Sequence, residues 1–254
     1  DSAHLLFNHR TLADGDIYFI ANRDKEKPFE GNVTLRTAGQ AVEAWHPTDG
    51  TRNKLSGATT PDGRMTVQLS MAPCESFIIV VSENPIPGDT GTQPRLDKVT
   101  TITTPWNVTF DPKAGGPGEV TFHTLTDWSK SATDGIKYYS GTAIYRNSVN
   151  LSPAAKSILE VAPFSGALSV TVNGKKAGTI WCAPWSVDIT DAVTEGENVI
   201  ELAVANTILN RMIGDLALPE TERFTYSSTP IVKEGDMLRP SGLKGEVKIL
   251  QSEQ

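Results

Sequence analysis

The stretch GALSVTVNGKKAGTIW, Gly166–Trp181, decides how the fold is read. Leu168, Val170 and Val172 alternate with small or polar residues up to Asn173-Gly174, and Ile180 and Trp181 follow on the far side. Successive strand side chains point to opposite faces, so a period of two marks a half-buried strand. Asn-Gly readily takes the positive φ of a tight hairpin turn. The stretch is therefore expected to be a β-hairpin.

The same alternation continues on both sides of this hairpin. TTPWNVTFD, GEVTFHTL, GIKYYSGTAIYRNSV and SILEVAPF precede it, and NVIELAVAN and GEVKILQ follow. Nearer the start, DIYFIANR, NVTLRTAG, AVEAWHPTDG, RMTVQLS and SFIIVVSE read as a second series of strands beginning at Asp16. PTDG at 47–50 and TPDG at 60–63 supply turns. Phe77–Val81 is apolar at every position, which predicts a central strand covered on both faces. Candidate helices are short, near Ala154–Ser157, Ile189–Val193 and Ile208–Ile213, and an α/β enzyme of this length would need several long amphipathic ones. Between the two series, ENPIPGDTGTQPR is rich in Pro, Gly and Thr and reads as a linker. The expectation is an all-β chain of two β-sandwich domains, residues 1–84 and 98–254, joined by a linker at 85–97.

The chain has 254 residues, enough for two ordinary cores, and a net charge of −7, which disfavours a nucleic acid partner. Its longest apolar run, SFIIVV, is far short of the roughly 20 residues that cross a bilayer, so no membrane partner is expected. Two cysteines, Cys74 and Cys182, rule out a cysteine-built zinc site or an Fe–S cluster, and no disulfide between them is expected. The four histidines lack HExxH spacing, no GxSxG elbow is present, and AGGPGE is not followed by a phosphate-binding helix. No cofactor is expected; a structural calcium ion held by loop carbonyls and carboxylates is compatible with either sandwich. DSAHLLFNHR shows no cationic segment followed by an apolar run, so either a leader was removed or the chain begins inside a longer polypeptide.

One segment breaks the β pattern. In NTILNRMIGD, Asn206–Asp215, polar residues interrupt an apolar run, and Arg211 and Asp215 are four apart, close enough to pair on one helical turn. A guanidinium among apolar neighbours needs such a partner, so a structural clasp is expected; the competing reading is a sugar site. Sugars dock on exposed aromatic rings and have their hydroxyls read by amides and charges. Trp128, in the polar loop LTDWSKSATDG, and Trp185, after Pro184, are expected to be exposed. Tyr138 and Tyr139, read as neighbours on one strand, cannot both be core. The candidate carbohydrate contacts are Trp128, Trp185, Tyr138, Asn206, Asn210, Arg211 and Asp215.

VNGKKAGTIWCAPWSVDIT followed by GENVIELAVAN resembles the galactose-binding-like jelly roll of family 2 glycoside hydrolases. IKYYSGTAIY, NRMIGD and PSGLKGEVKI together resemble the C-terminal region of the family 106 α-L-rhamnosidases, and HRTLADGDIYFIANR with EAWHPTDG resembles the β-domain after their catalytic barrel. In that family the acid and base carboxylates are expected on an N-terminal (β/α)8 barrel, so the resemblance carries no catalytic residue onto this chain. It implies an accessory region of an exported, periplasmic or extracellular, bacterial glycosidase. The implied partners are the barrel and a rhamnose-containing plant polysaccharide. A free-standing carbohydrate-binding module and a purely structural pair of sandwiches are the alternatives.

Overall fold

The computed structural model describes residues 4–39, 41–84 and 95–253. It is all-β, and its sheets are antiparallel. The chain divides into two compact units, Asp1–Gln93 with Cys182–Pro184, and Pro94–Trp181 with Trp185–Gln254.

The first unit contains β1 (Leu5–Leu12), β2 (Gly15–Asn22), β3 (Phe29–Leu35), β4 (Ala41–Trp45), β5 (Arg52–Lys54), β6 (Gly57–Thr59), β7 (Met65–Met71) and β8 (Ser76–Ser82). They form a five-stranded sheet, β1-β2-β8-β4-β5, and a three-stranded sheet, β3-β7-β6. One core joins the sheets: Tyr18, Ile20, Phe77, Ile79 and Val81 from the larger meet Leu35, Met65, Val67, Leu69 and Met71 from the smaller. The alternation in β7, with Met65, Val67, Leu69 and Met71 buried and Gln68 and Ser70 exposed, is the sequence pattern realised. β8 departs from expectation. Phe77, Ile79 and Val81 are buried, but Ile78 and Val80 on its other face are only half-buried.

The second unit contains β9 (Leu96–Thr101), β10 (Trp106–Thr109), β11 (Glu119–Phe122), β12 (Thr142–Leu151), β13 (Ser157–Val161), β14 (Ala167–Val172), β15 (Lys175–Ile180), β16 (Ser186–Asp188), β17 (Gly196–Ala205) and β18 (Val247–Ser252). A six-stranded sheet, β11-β10-β12-β17-β14-β15, and a four-stranded sheet, β16-β13-β18-β9, share one core. The opening hairpin is β14–β15, and Asn173 (φ 52°) and Gly174 (φ 78°) both take the positive φ of the turn.

Several expectations need correction. β9 begins at Leu96, inside the expected 85–97 linker, most of which lies outside the described residues. Residues 154–156 are not helical, whereas a 3-10 turn at Thr190–Ala192 and a two-turn helix do occur near the other two candidate sites. The strand expected from Gly135 starts only at Thr142; a single helical turn, α1 (Asp134–Lys137), stands in its place. Tyr138 and Tyr139 therefore follow a helical turn. Tyr139 is fully buried and Tyr138 half-buried, as expected, but for a different reason.

Candidate functional site

The polar segment at 206–215 forms α2 (Leu209–Asp215), which directly follows β17. Arg211 Nε lies 3.0 Å from Asp215 Oδ1, with both side chains almost fully buried, so the expected clasp is present. The guanidinium also rests against two rings, 4.8 Å from the centre of Phe224 and 5.8 Å from that of Tyr138. Asp215 Oδ2 accepts from the backbone N–H and the hydroxyl of Thr225, at 2.8 and 2.6 Å. Gly214 has to be glycine: a Cβ there would sit 2.6 Å from the Tyr138 ring and 2.8 Å from Arg211 Nη2.

The two asparagines flanking the start of α2 tie together segments distant in sequence. Asn206 accepts from Gly141 N–H at 3.0 Å and donates to Tyr139 O at 2.8 Å, fixing the turn that feeds β12. Asn210, 2% exposed, accepts from Arg239 N–H and donates to Arg239 O, at 2.8 and 2.7 Å. Its amide pairs with that peptide as a neighbouring strand would, which holds a long irregular segment to the core.

Trp128, expected to be exposed, is fully buried, and this is the main correction to the site. The polar residues around it are used up locally. Asp127 Oδ1 accepts from Ser129 N–H, Ser129 Oγ and Ser241 N–H, while Trp128 N–H donates to Ser241 O at 2.9 Å. The indole donates to Tyr145 Oη at 2.7 Å. Gly242, at φ 76°, lies flat on the ring, and a Cβ there would approach Trp128 Nε1 to 2.3 Å. Burial would raise the Asp127 carboxyl, but hydrogen bonds from Ser241 and Ser129 outweigh it and hold the group below its ordinary value. Burial pushes the Tyr145 hydroxyl well above its usual range.

Trp185 is half-buried, packed edge to face on Phe164 with ring centres 5.4 Å apart. The more exposed rings of this unit are Trp181 (61%) and Tyr226 (92%). Sequence reasoning missed Asp127, Ser241 and Tyr145 as partners of the cluster, because their contacts join segments distant in sequence. It also missed Asn198, fully buried, whose amide joins Asn173 and Thr194 at the base of the hairpin.

A recess of about 210 Å³ beside Asp215 is bordered by Arg223, Thr225, Ser227 and Ile231. Another, of about 630 Å³, lies between β1 and β3 and is mainly apolar, lined by Leu5, Phe7, Tyr18, Phe29, Val33 and Leu35. Neither brings two carboxylates together. Each buried carboxylate has a local partner: Asp16 with His9, Thr11 and Thr37, Glu43 with the Trp45 indole, Glu75 with Ala72 N–H, and Asp215 with Thr225 and Arg211. Among the described residues no three His, Cys, Asp or Glu side chains are grouped to hold a metal ion. Both cysteines are free thiols.

A sequence model of the α-L-rhamnosidase family matches residues 1–58. A rhamnosidase from Novosphingobium sp. PP1Y has a similar structure, with a TM-score of 0.84 and 30% identity across 98% of this chain and 24% of that one. A protein of Formosa agariphila that carries a β-glucuronidase name is 33% identical over 172 residues, 57% of this chain and 15% of that protein. The resemblance to glycoside hydrolases of the α-L-rhamnosidase type is thus borne out. The chain spans only about a quarter or less of the length of these relatives.

Proposed function

We propose that the chain is a non-catalytic accessory region of a bacterial α-L-rhamnosidase, supporting a catalytic barrel carried elsewhere in the same polypeptide. The observation behind this reading is the match itself: nearly the whole chain aligns with a rhamnosidase of known structure, yet fills only 24% of it. The side chains add support. Glycoside hydrolysis ordinarily needs two carboxyl groups facing one bond, and each buried carboxylate among the described residues is engaged by partners of its own.

The alternative of a free-standing carbohydrate-binding module finds less support, because Trp128 is sealed and Asn206, Asn210, Arg211 and Asp215 are engaged in the fold. Carbohydrate contact within the proposed role falls to exposed rings such as Trp181 and Tyr226.

The test is an assay of the pure chain on aryl rhamnosides and other aryl glycosides. The expected result is no turnover. Turnover that follows the protein through purification and disappears on replacing a single carboxylate would overturn the proposal.

A further inference from the structure

The outer face of the five-stranded sheet in the first unit has the composition of an interface. Ile78 and Val80 of β8 lie on it, half-buried. The register extends this apolar row sideways: Ile78 pairs with Phe19 on β2 and Trp45 on β4, and Val80 pairs with Ile17. Phe19 is 44% exposed, and Leu6, on the same face of β1, is 52% exposed. Cations stand around this centre. Arg10 pairs with Ile17, Lys54 pairs with Glu43, and the Arg52 guanidinium lies 4.1 Å from the centre of the Trp45 ring. Glu43, the carboxylate within the face, is only 6% exposed and accepts from the Trp45 indole at 2.8 Å.

We infer that this face is the docking surface for another module of the same longer polypeptide, one whose matching surface has an apolar centre bordered by carboxylates. The inference rests on the accessory-region reading and names the surface through which it acts. Aromatic anchors inside a charged rim are the usual anatomy of a protein interface. The rim is cationic although the chain carries a net charge of −7, so it complements an acidic surface. A second copy of this chain would bring Arg10, Arg52 and Lys54 against their own kind. The relatives point the same way, since three quarters or more of each lies outside the matched region. The rhamnosidase family match at 1–58 also covers β1, β2, β4 and β5, four of the five strands that build the face.

The experiment mixes the chain with the separately produced polypeptide that its gene encodes outside residues 1–254 and measures association by calorimetry and ultracentrifugation. The wild-type chain should bind, and Leu6→Thr/Phe19→Thr should weaken binding at least about tenfold while leaving the melting temperature within about 3 °C. Arg10→Glu/Arg52→Glu should weaken binding and reduce its salt dependence. Val199→Thr/Met237→Ser, which removes exposed apolar side chains of the second unit, should leave it unchanged.

Loss of binding in the Val199/Met237 variant alone would overturn the assigned face and leave the accessory reading standing. No binding by any form, or a gene that encodes no further module, would overturn both. Self-association of the wild-type chain that Leu6→Thr/Phe19→Thr abolishes would overturn the assigned partner in favour of a second copy.

Discussion

Two regions of this molecule reverse the usual placement of side chains. Around α2 in the second unit, Asn210, Arg211 and Asp215 are buried and Asp127 is joined to them through Ser241. On the outer face of the five-stranded sheet in the first unit, Leu6 and Phe19 face solvent. The α2 region has the sequence of a ligand site, but its polar atoms serve neighbouring backbone. The sheet face has the sequence of core strands, but Leu6 and Phe19 on it are exposed and Ile17, Ile78 and Val80 are only half-buried. Polarity in a motif therefore does not by itself indicate a binding site. What separates the two cases is where the hydrogen bonds go.

The comparison can be broken most readily at Trp128. Trp128→Ala should cost about 4 kcal/mol in denaturant unfolding, through lost packing and the lost indole bond to the Tyr145 hydroxyl, which keeps only a long contact from Leu243 N–H. A cost near zero would mean that the ring is not core.

Arg211→Met should cost about 3 kcal/mol by stranding Asp215 in the interior, and adding Asp215→Leu should recover most of it. If the double variant is no better than the single, the carboxylate has a role beyond the clasp. Asn206→Ala should cost about 1.5 kcal/mol, through the lost bonds to Tyr139 and Gly141.

A smaller effect is expected from acid. Asp127 has a depressed folded-state pKa, as does Asp16, whose burial is outweighed by hydrogen bonds from Thr37, His9 and Thr11. A depressed carboxyl contributes stability above its unfolded value of about 4 and loses that contribution as the pH falls through the lower folded value. Melting temperatures recorded from pH 6 down to pH 2 should drop below about pH 4, and Asp127→Asn should lessen the drop. A flat profile in the wild-type chain would remove these carboxylates from the account. The least effect should come from Phe19→Thr, expected to change the stability of the isolated chain by less than about 0.5 kcal/mol because the ring is uncovered there.

Much of the architecture is legible in the sequence, and the exceptions have physical causes. β7, β14 and β17 alternate cleanly because each buries one face, and Asn173-Gly174 marks its turn. β1 and β9 escape sequence reading: both are edge strands, bury almost nothing and so show no alternation. In the candidate site, the Arg211–Asp215 pair follows from its spacing. Trp128 is misread because its loop is polar, and nothing local shows that Asp127 and the distant Ser241 consume that polarity. Contacts across more than a hundred residues leave no periodic trace.

The central claim, that the polar residues of the α2 segment hold the fold together, is tested most directly by native-state amide hydrogen exchange at Arg239 and Ser241, in an irregular segment outside any strand or helix. The account predicts protection of both amides in the wild-type chain without any sugar. It also predicts exchange at least about tenfold faster at Arg239 in Asn210→Ala, whose side chain accepts that N–H. Free exchange in the wild-type chain, or protection that arises only when a carbohydrate is added, would contradict it.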